Sequence, residues 1–401
     1  MPNMKSAHRH CPICGFNSVD VLHCQCFALP EQHPLPAEYD VSSCNTCGFV
    51  YADTRGTAAD YDRYYADYSK YADQTTSTGG GGNPRDQARL TETAAAIAKH
   101  LPDLDAGIVD IGCANGGLLG ALKARGYSRL FGIDPASACV ENTRSFFNVP
   151  AEKGWLLDLP FNTPNSDLVV VSHVLEHVLD LRGAVAGMRS TLRPGGMVYV
   201  EVPDAQRYVD YLAAPFQDFN TEHINHFGAA GLENLFTAGG FEAVEIGAKT
   251  IEAAVGVGYP ALFGFFRRLE SVPAAAPVWR QDPDFQKSII EYITASKVQL
   301  ARIDSRLAPV LDEPVIVWGT GQLTLKLLAE TRLAQASITA FVDGNPINHG
   351  KTLRGTKILP PDALKQLPGH PIVIGSMLHH GAITEKIRGS LRLANRIVEL
   401  V

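Results

Sequence analysis

The chain holds 401 residues, 45% hydrophobic and 19% charged, with 35 Lys and Arg against 42 Asp and Glu for a formal charge of -7. That balance excludes a largely disordered chain, an integral membrane protein and the strongly basic surface with which most nucleic-acid binders collect phosphates. The length predicts several domains, with enough core to fold without cross-links.

The N-terminus is polar and basic and no apolar run follows it, so no secretory signal is expected and the chain is read as cytoplasmic. Its 8 cysteines are then expected as metal ligands or buried thiols and not as disulfides. Cys11-Pro-Ile-Cys14-Gly15 and Cys44-Asn-Thr-Cys47-Gly48 are matched knuckles. Each sets two thiolates on one tight turn, and two such turns make the tetrahedral sulfur shell that structural zinc prefers. Cys11, Cys14, Cys44 and Cys47 are therefore the expected metal ligands. Four protein ligands leave no open position, so the zinc should hold the fold and do no chemistry. Cys24 and Cys26 lack the knuckle form, and Cys113 and Cys139 read as packing thiols.

A segment rich in tyrosine follows (Tyr61, Tyr64, Tyr65, Tyr68, Tyr71), then the glycine run Gly79 to Gly82. From Arg85 the pattern alternates helix and strand, as in an α/β domain. Helices are predicted over 90–100 and 118–125, and strands over 107–111, 130–133, 168–172 and 197–202. The last strand is entered through the turn Arg193-Pro194-Gly195-Gly196. Residues 253–266 form the most apolar window, too short to span a bilayer. A linker rich in proline and alanine is expected over 272–278 and one amphipathic helix over 285–307. A second small α/β unit then carries strands over 315–318, 338–342 and 372–374. The predicted modules are 1–60, 61–270 and 280–401.

Ile108-Val-Asp110-Ile-Gly112-Cys-Ala-Asn115-Gly116-Gly117 reads as a strand entering a glycine-rich turn and a helix. Glycine there permits a sharp turn and close approach of a ligand. Asp134 ends the next strand, where a carboxylate can accept both ribose hydroxyls. Nicotinamide-binding folds share these features. Asp110 tips the balance: two positions before the first glycine it can meet an ammonium group, but it would repel a pyrophosphate. With Leu168-Val-Val-Val-Ser172-His173-Val-Leu-Glu176-His177-Val178 and the stretch 192–203 in this order, residues 85–247 resemble the class I S-adenosylmethionine-dependent methyltransferases. The resemblance implies a Rossmann-like core. It implies Asp110, Gly112, Asn115 and Gly116 near the methionine part of S-adenosylmethionine, Asp134 at the ribose and Asp158 or Leu159 near adenine. Ser172 and His173 complete the implied cofactor set. Ala114 stands where the family often has glycine.

Asn220-Thr221-Glu222-His223-Ile224-Asn225-His226-Phe227 follows the strand ending near Val202 and should overhang the cofactor at the carboxyl ends of the strands. Methyl transfer from a sulfonium needs mainly alignment; a carbon acceptor also needs a base. A knuckle module, a methyltransferase core and a second α/β unit with Val315-Ile-Val-Trp-Gly319-Thr320-Gly321 and Phe341-Val-Asp343-Gly-Asn-Pro346 together resemble the sugar C-methyltransferases of deoxysugar pathways. That family's Tyr-His-Glu-His run is here Asn220-Thr221-Glu222-His223. The resemblance implies C-methylation of a nucleotide-linked keto-sugar, with His223 as base oriented by Glu222. It further implies His177 at a family histidine position and Tyr68 or Tyr71 facing substrate; His226 is a further catalytic candidate. Gly319-Thr320-Gly321 with Asp343 is a partial nucleotide turn, expected to be structural. The expected partner is a small-molecule acceptor, with no nucleic acid and no membrane, in a monomer or small homo-oligomer. N- or O-methylation of a sugar or small natural product, and a non-catalytic binding protein on the same fold, are the alternatives.

Overall fold

The knuckles sit at the turns of an antiparallel sheet. Its strands Met4–Ser6, Ser18–Cys26, Glu38–Cys44 and Val50–Asp53 pair in chain order, and Asn225–His226 joins beside Val50–Asp53 from far along the chain. The structure, a computed structural model, describes residues 4–68, 83–160, 163, 165–254, 256–272, 276–310 and 312–400.

The central sheet has seven strands: β1 (Gly107–Ile111), β2 (Arg129–Asp134), β3 (Ala151–Lys153), β4 (Ser166–Ser172), β5 (Leu192–Pro203), β6 (Phe241–Ala254) and β7 (Val257–Arg268), in the spatial order β6-β7-β5-β4-β1-β2-β3. Strands β1 to β5 run parallel, while β7 is antiparallel to both its neighbours. Side chains alternate across the sheet, so β1 and β4 feed two cores. Ile108, Leu168 and Val170 pack with Leu90, Ala94 and Leu119 of helices Pro84–His100 and Gly117–Ala124. Val109, Ile111, Val169 and Val171 pack with Leu181, Val185 and Met188 of helix Leu181–Thr191 on the other face. Coverage on both faces explains why these strands read as unbroken apolar runs.

Two features depart from the expected elements. The turn at 193–196 lies inside β5 as a bulge: the register with β4 jumps from Ser166↔Leu192 to Leu168↔Met197, and Gly195 takes φ +76°. The apolar window 253–266 holds most of β7, which lies between β5 and β6 and is apolar because both its faces pack: Leu262 and Phe266 in one core, Phe263 and Phe265 in the other. No helix among the described residues is long and apolar enough to cross a membrane.

A C-terminal sheet of six strands is built on Val315–Trp318, flanked in parallel by Ile338–Val342 and Ile372–Ile374. Helix Pro283–Leu307, capped by the Asp282 side chain accepting from the Asp284 and Phe285 N–H groups, leads into it. Packing is shared among the three parts. Phe27, Leu35 and Tyr39 of the N-terminal part share a core with Ile289, Tyr292 and Leu327, and Ile13 and Phe49 share one with Leu181 and Leu232.

Candidate functional site

Cys11 and Cys47 bring their sulfurs to 3.5 Å and Cys14 and Cys44 to 3.4 Å, with all four within 4.8 Å of one another and buried. Both knuckles close identically. The Gly15 N–H donates to the Cys11 carbonyl and the Gly48 N–H to the Cys44 carbonyl, each at 2.8 Å, with φ of +80° and +75°. The glycine after each pair thus makes the left-handed turn that a side chain would strain. Tetrahedral zinc in four thiolates sets sulfurs about 3.8 Å apart, so the cluster fits one such ion. Cys24 and Cys26 stand outside the cluster, 3.9 Å from each other, with Cys24 exposed.

The glycine-rich turn leaves β1 at Gly112, where φ is +79° and an added Cβ would lie 2.5 Å from Val174 Cγ2. Gly116, at φ +80°, opens the helix Gly117–Ala124; a Cβ there would strike Thr143 at 2.8 Å. Ala114 also takes a left-handed φ of +47°. Its N–H donates to Asp134 Oδ2 at 2.9 Å, and Ala136 N–H donates to Oδ1 at 2.9 Å, so backbone amides orient the Asp134 carboxylate. Asp110 is 3% exposed. Burial, and behind it the charge of Asp134, pushes its carboxyl up to about 7; burial pushes Asp134 up to about 6 against the pull of its two amides. Two buried carboxyls beside a turn of close backbone favour an approaching cation and disfavour a polyanion. S-adenosylmethionine, with its ammonium and sulfonium charges, fits that demand.

The other expected cofactor residues surround this turn. Asn115 is buried, its side-chain oxygen accepting from Asn142 at 2.9 Å. Asp158, exposed, and Leu159, half-buried, lie on a turn closed by mutual Trp155–Asp158 backbone bonds; that turn is tied to β2 by the Gly154 N–H on the Asp134 carbonyl. Ser172 ends β4. His173, at φ +55°, sends Nδ1 to Glu176 Oε1 and Nε2 to Glu201 Oε1, both at 3.2 Å. Burial pushes the His173 imidazole down, but the two carboxylates outweigh it and hold the group up at about 9. Glu201, fully buried on β5, also accepts from Tyr199 OH at 2.6 Å and pairs with Lys249 at 2.5 Å. Burial opposes its charge, but the hydrogen bond and charge of His173, then Lys249, hold its carboxyl well below the usual range. Sequence reasoning left Glu201 and Lys249 aside; no motif links a strand residue to one on the next hairpin.

The loop at 219–226 hangs over the turn Leu175–His177. Asn220 Oδ1 accepts from the Glu222 and His223 N–H groups, each at 2.8 Å. His177 Nδ1 lies 3.1 Å from the Glu222 carbonyl, and the His177 and His223 rings stand edge to face with centroids 4.9 Å apart. The Glu222 carboxylate accepts from Tyr64 OH at 2.8 Å. A carboxylate oxygen of Glu176 and ring nitrogens of His177 and His223 lie within 4.8 Å of one another.

His226 is fully buried against Phe219 and Tyr208, and burial followed by the Arg9 charge pushes it down to about 3, so it sits in the core as a neutral ring. Tyr71 lies outside the described residues. Among the described residues Tyr64 and Tyr65, on helix Ala58–Tyr68, stand at the site, with the Tyr65 ring 5.9 Å from that of His177. Helical spacing within the tyrosine run could have placed Tyr61, Tyr64 and Tyr65 on one face. In the C-terminal unit the Asp343 carboxylate is spent inside the protein, accepting from Thr320 N–H at 2.8 Å and Asn345 N–H at 2.7 Å.

Residues 85–246 match the family model of a methyltransferase domain, and residues 311–398 match one described as C2185-like, N-terminal. The chain is 32% identical over 137 residues to a probable S-adenosylmethionine-dependent methyltransferase of Mycolicibacterium smegmatis, covering 34% of this chain and 51% of that protein. It is 34% identical over 151 residues to an uncharacterized 37.1 kDa transposon protein of Streptomyces fradiae, covering 35% and 44%. The chain thus spans about half the length of these two curated relatives. It is also 24% identical over 242 residues to the O-methyltransferase cnsE of Penicillium expansum, covering 55% and 77%. Among solved structures, the PH0226 protein of Pyrococcus horikoshii aligns with a TM-score of 0.40 at 18% identity, over 51% of this chain and 98% of that one. The stretch that matches a methyltransferase domain contains β1, β2 and the glycine-rich turn between Asp110 and Asp134.

Proposed function

We propose that the chain transfers a methyl group from S-adenosylmethionine to a small-molecule acceptor, and that its four-cysteine cluster holds structural zinc. The observation that carries this is the stretch matching a methyltransferase domain, where buried Asp110 and Asp134 flank the glycine-rich turn and Val174, just before the turn bearing His177, packs against Gly112. S-adenosylmethionine supplies, when bound, a methyl group on a positively charged sulfur. Asp110 then takes the ammonium, Asp134 the ribose hydroxyls, and the loop at 219–226 aligns the acceptor. Alignment is the main demand of such a displacement.

In the more specific form of this proposal the acceptor is a nucleotide-linked keto-sugar methylated at carbon. His223 would take the proton next to the ketone, leaving an electron pair on carbon for the methyl group, whose bond to sulfur would break with its electrons returning to sulfur. Support comes from the place of His223 on the overhanging loop, with its ring against that of His177, and from Gln322 of the C-terminal unit, which donates to Thr221 on the same loop at 2.8 Å. Methylation at oxygen is the second possibility, favoured by the resemblance to a protein named an O-methyltransferase. His223→Ala should abolish methyl transfer while calorimetric binding of S-adenosylmethionine persists; unchanged turnover removes the base assignment. Incubation of a panel of nucleotide keto-sugars in deuterium oxide, read by mass spectrometry, separates the two acceptors. Exchange of a carbon-bound hydrogen accompanies only the first.

A further inference from the structure

We propose that Glu176, His177 and His223 form a second metal site, for a divalent transition ion, apart from the four cysteines. One ligating atom from each residue falls within 4.8 Å of the other two. A tetrahedral ion with ligands at about 2.1 Å spaces them about 3.4 Å apart, so closure asks each side chain to move by roughly an ångström or less. Two further observations point the same way.

The first is the orientation of His177. A carbonyl oxygen only accepts, so the 3.1 Å contact of Nδ1 with the Glu222 carbonyl places the ring proton on Nδ1 and leaves the lone pair on Nε2. That nitrogen faces Glu176 Oε1 at 3.9 Å, an acceptor opposite an acceptor. A backbone carbonyl on the far nitrogen is the arrangement that fixes metal-binding histidines. The second is Glu176 itself. It is 1% exposed; Oε1 is held by His173 Nδ1 at 3.2 Å, while Oε2 is buried without a hydrogen-bond partner among the described residues. His173 serves Oε1 alone, and a carboxylate oxygen buried without a donor of its own is costly unless a cation or donor reaches it. Two imidazoles and one carboxylate suit zinc, cobalt or ferrous iron better than magnesium or calcium. Three protein ligands leave a coordination position open.

The consequence for activity rests on the function proposed above. A metal at this site takes the His223 lone pair, so the loaded form cannot use His223 as a base, and the ion acts as a brake. The test fills the cysteine cluster with zinc and then adds cobalt(II) to the full chain, followed by absorption and by metal analysis after dialysis. Wild type should take up one further equivalent with a nitrogen–oxygen spectrum lacking thiolate charge-transfer bands. Glu176→Gln and His177→Asn should bind that equivalent at least tenfold more weakly, while retention of the first zinc shows that both variants fold. No second equivalent in wild type, or unchanged affinity in both variants, overturns the site. Methyl transfer should fall as the second equivalent binds and return on its removal; transfer indifferent to occupancy overturns the brake. Protein that holds zinc only in the cysteine cluster and still transfers no methyl group refutes the proposed function instead, and the stoichiometry alone then decides the site.

Discussion

At about pH 6 most Asp110 side chains carry a proton, because burial, and behind it the charge of Asp134, holds that carboxyl up at about 7. A ligand that presents an ammonium group to Asp110 must expel that proton. Binding of S-adenosylmethionine should therefore release a proton below pH 7, with affinity rising roughly tenfold per pH unit and levelling above it. Calorimetry at pH 6 in two buffers of different ionisation heat measures the release, and Asp110→Asn should remove it along with most of the affinity. His173 titrates in the opposite sense. Burial lowers it, but Glu176 and Glu201 raise it overall to about 9, so the stability it contributes is full below about 6.5, the value of an unperturbed histidine, and is lost as pH rises through about 9. Glu201, held below its ordinary range, loses its contribution only in acid. The urea midpoint should thus fall between pH 6.5 and 9.5, and His173→Asn should lower the midpoint at pH 6.5 and flatten that fall.

At the scale of elements, the loop at 219–226 has little regular structure to hold it, and its order comes from outside. The Gln25 and Tyr39 side chains donate to the carbonyls of Phe219 and Asn220 at 2.7 and 2.9 Å. Arg9 reaches from the N-terminal part to the carbonyls of Ile224 at 3.1 Å and Leu179 at 2.7 Å, and to Asn225 Oδ1 at 2.9 Å. One planar guanidinium thereby ties the loop to the segment just after His177, a geometry a lysine cannot copy. Arg9→Ala should cost about 2–3 kcal/mol of stability, since several charge-assisted bonds go at once, and should lower kcat more than the affinity for S-adenosylmethionine. Arg9→Lys should recover little of the loss. Urea unfolding and steady-state kinetics on both variants check this.

Across the whole molecule, the knuckle cluster belongs to the same core as the helix behind β4. Cys11, Cys14, Ile13 and Phe49 pack with Leu181, Val185 and Leu232, and the strand Asn225–His226 extends the knuckle sheet directly from the loop. Loss of the proposed zinc should therefore loosen the loop as well as the N-terminus. Stripping with a strong chelator, or Cys47→Ser, should lower the thermal midpoint of the entire chain in one transition and abolish methyl transfer. A separate, low-temperature transition confined to the N-terminal part, with activity retained, would show that the modules are independent.

Local signals settled much of this protein in advance. The two knuckles, the strand-to-glycine turn after Asp110 and the carboxylate ending the next strand are each written within a few neighbouring residues, because a tight turn or a strand end imposes its residue types locally. The seven-strand order, the bulge in β5 and the company each polar group keeps are different. Tyr64 meets Glu222 across 158 positions and Arg9 meets Ile224 across 215, and His173 takes its charge from Glu201 on a neighbouring strand. Such pairings depend on which strands become neighbours and on how deeply the shared cores bury them. Burial then sets which carboxyls hold a proton and which histidines are basic, a property that no stretch of sequence carries by itself.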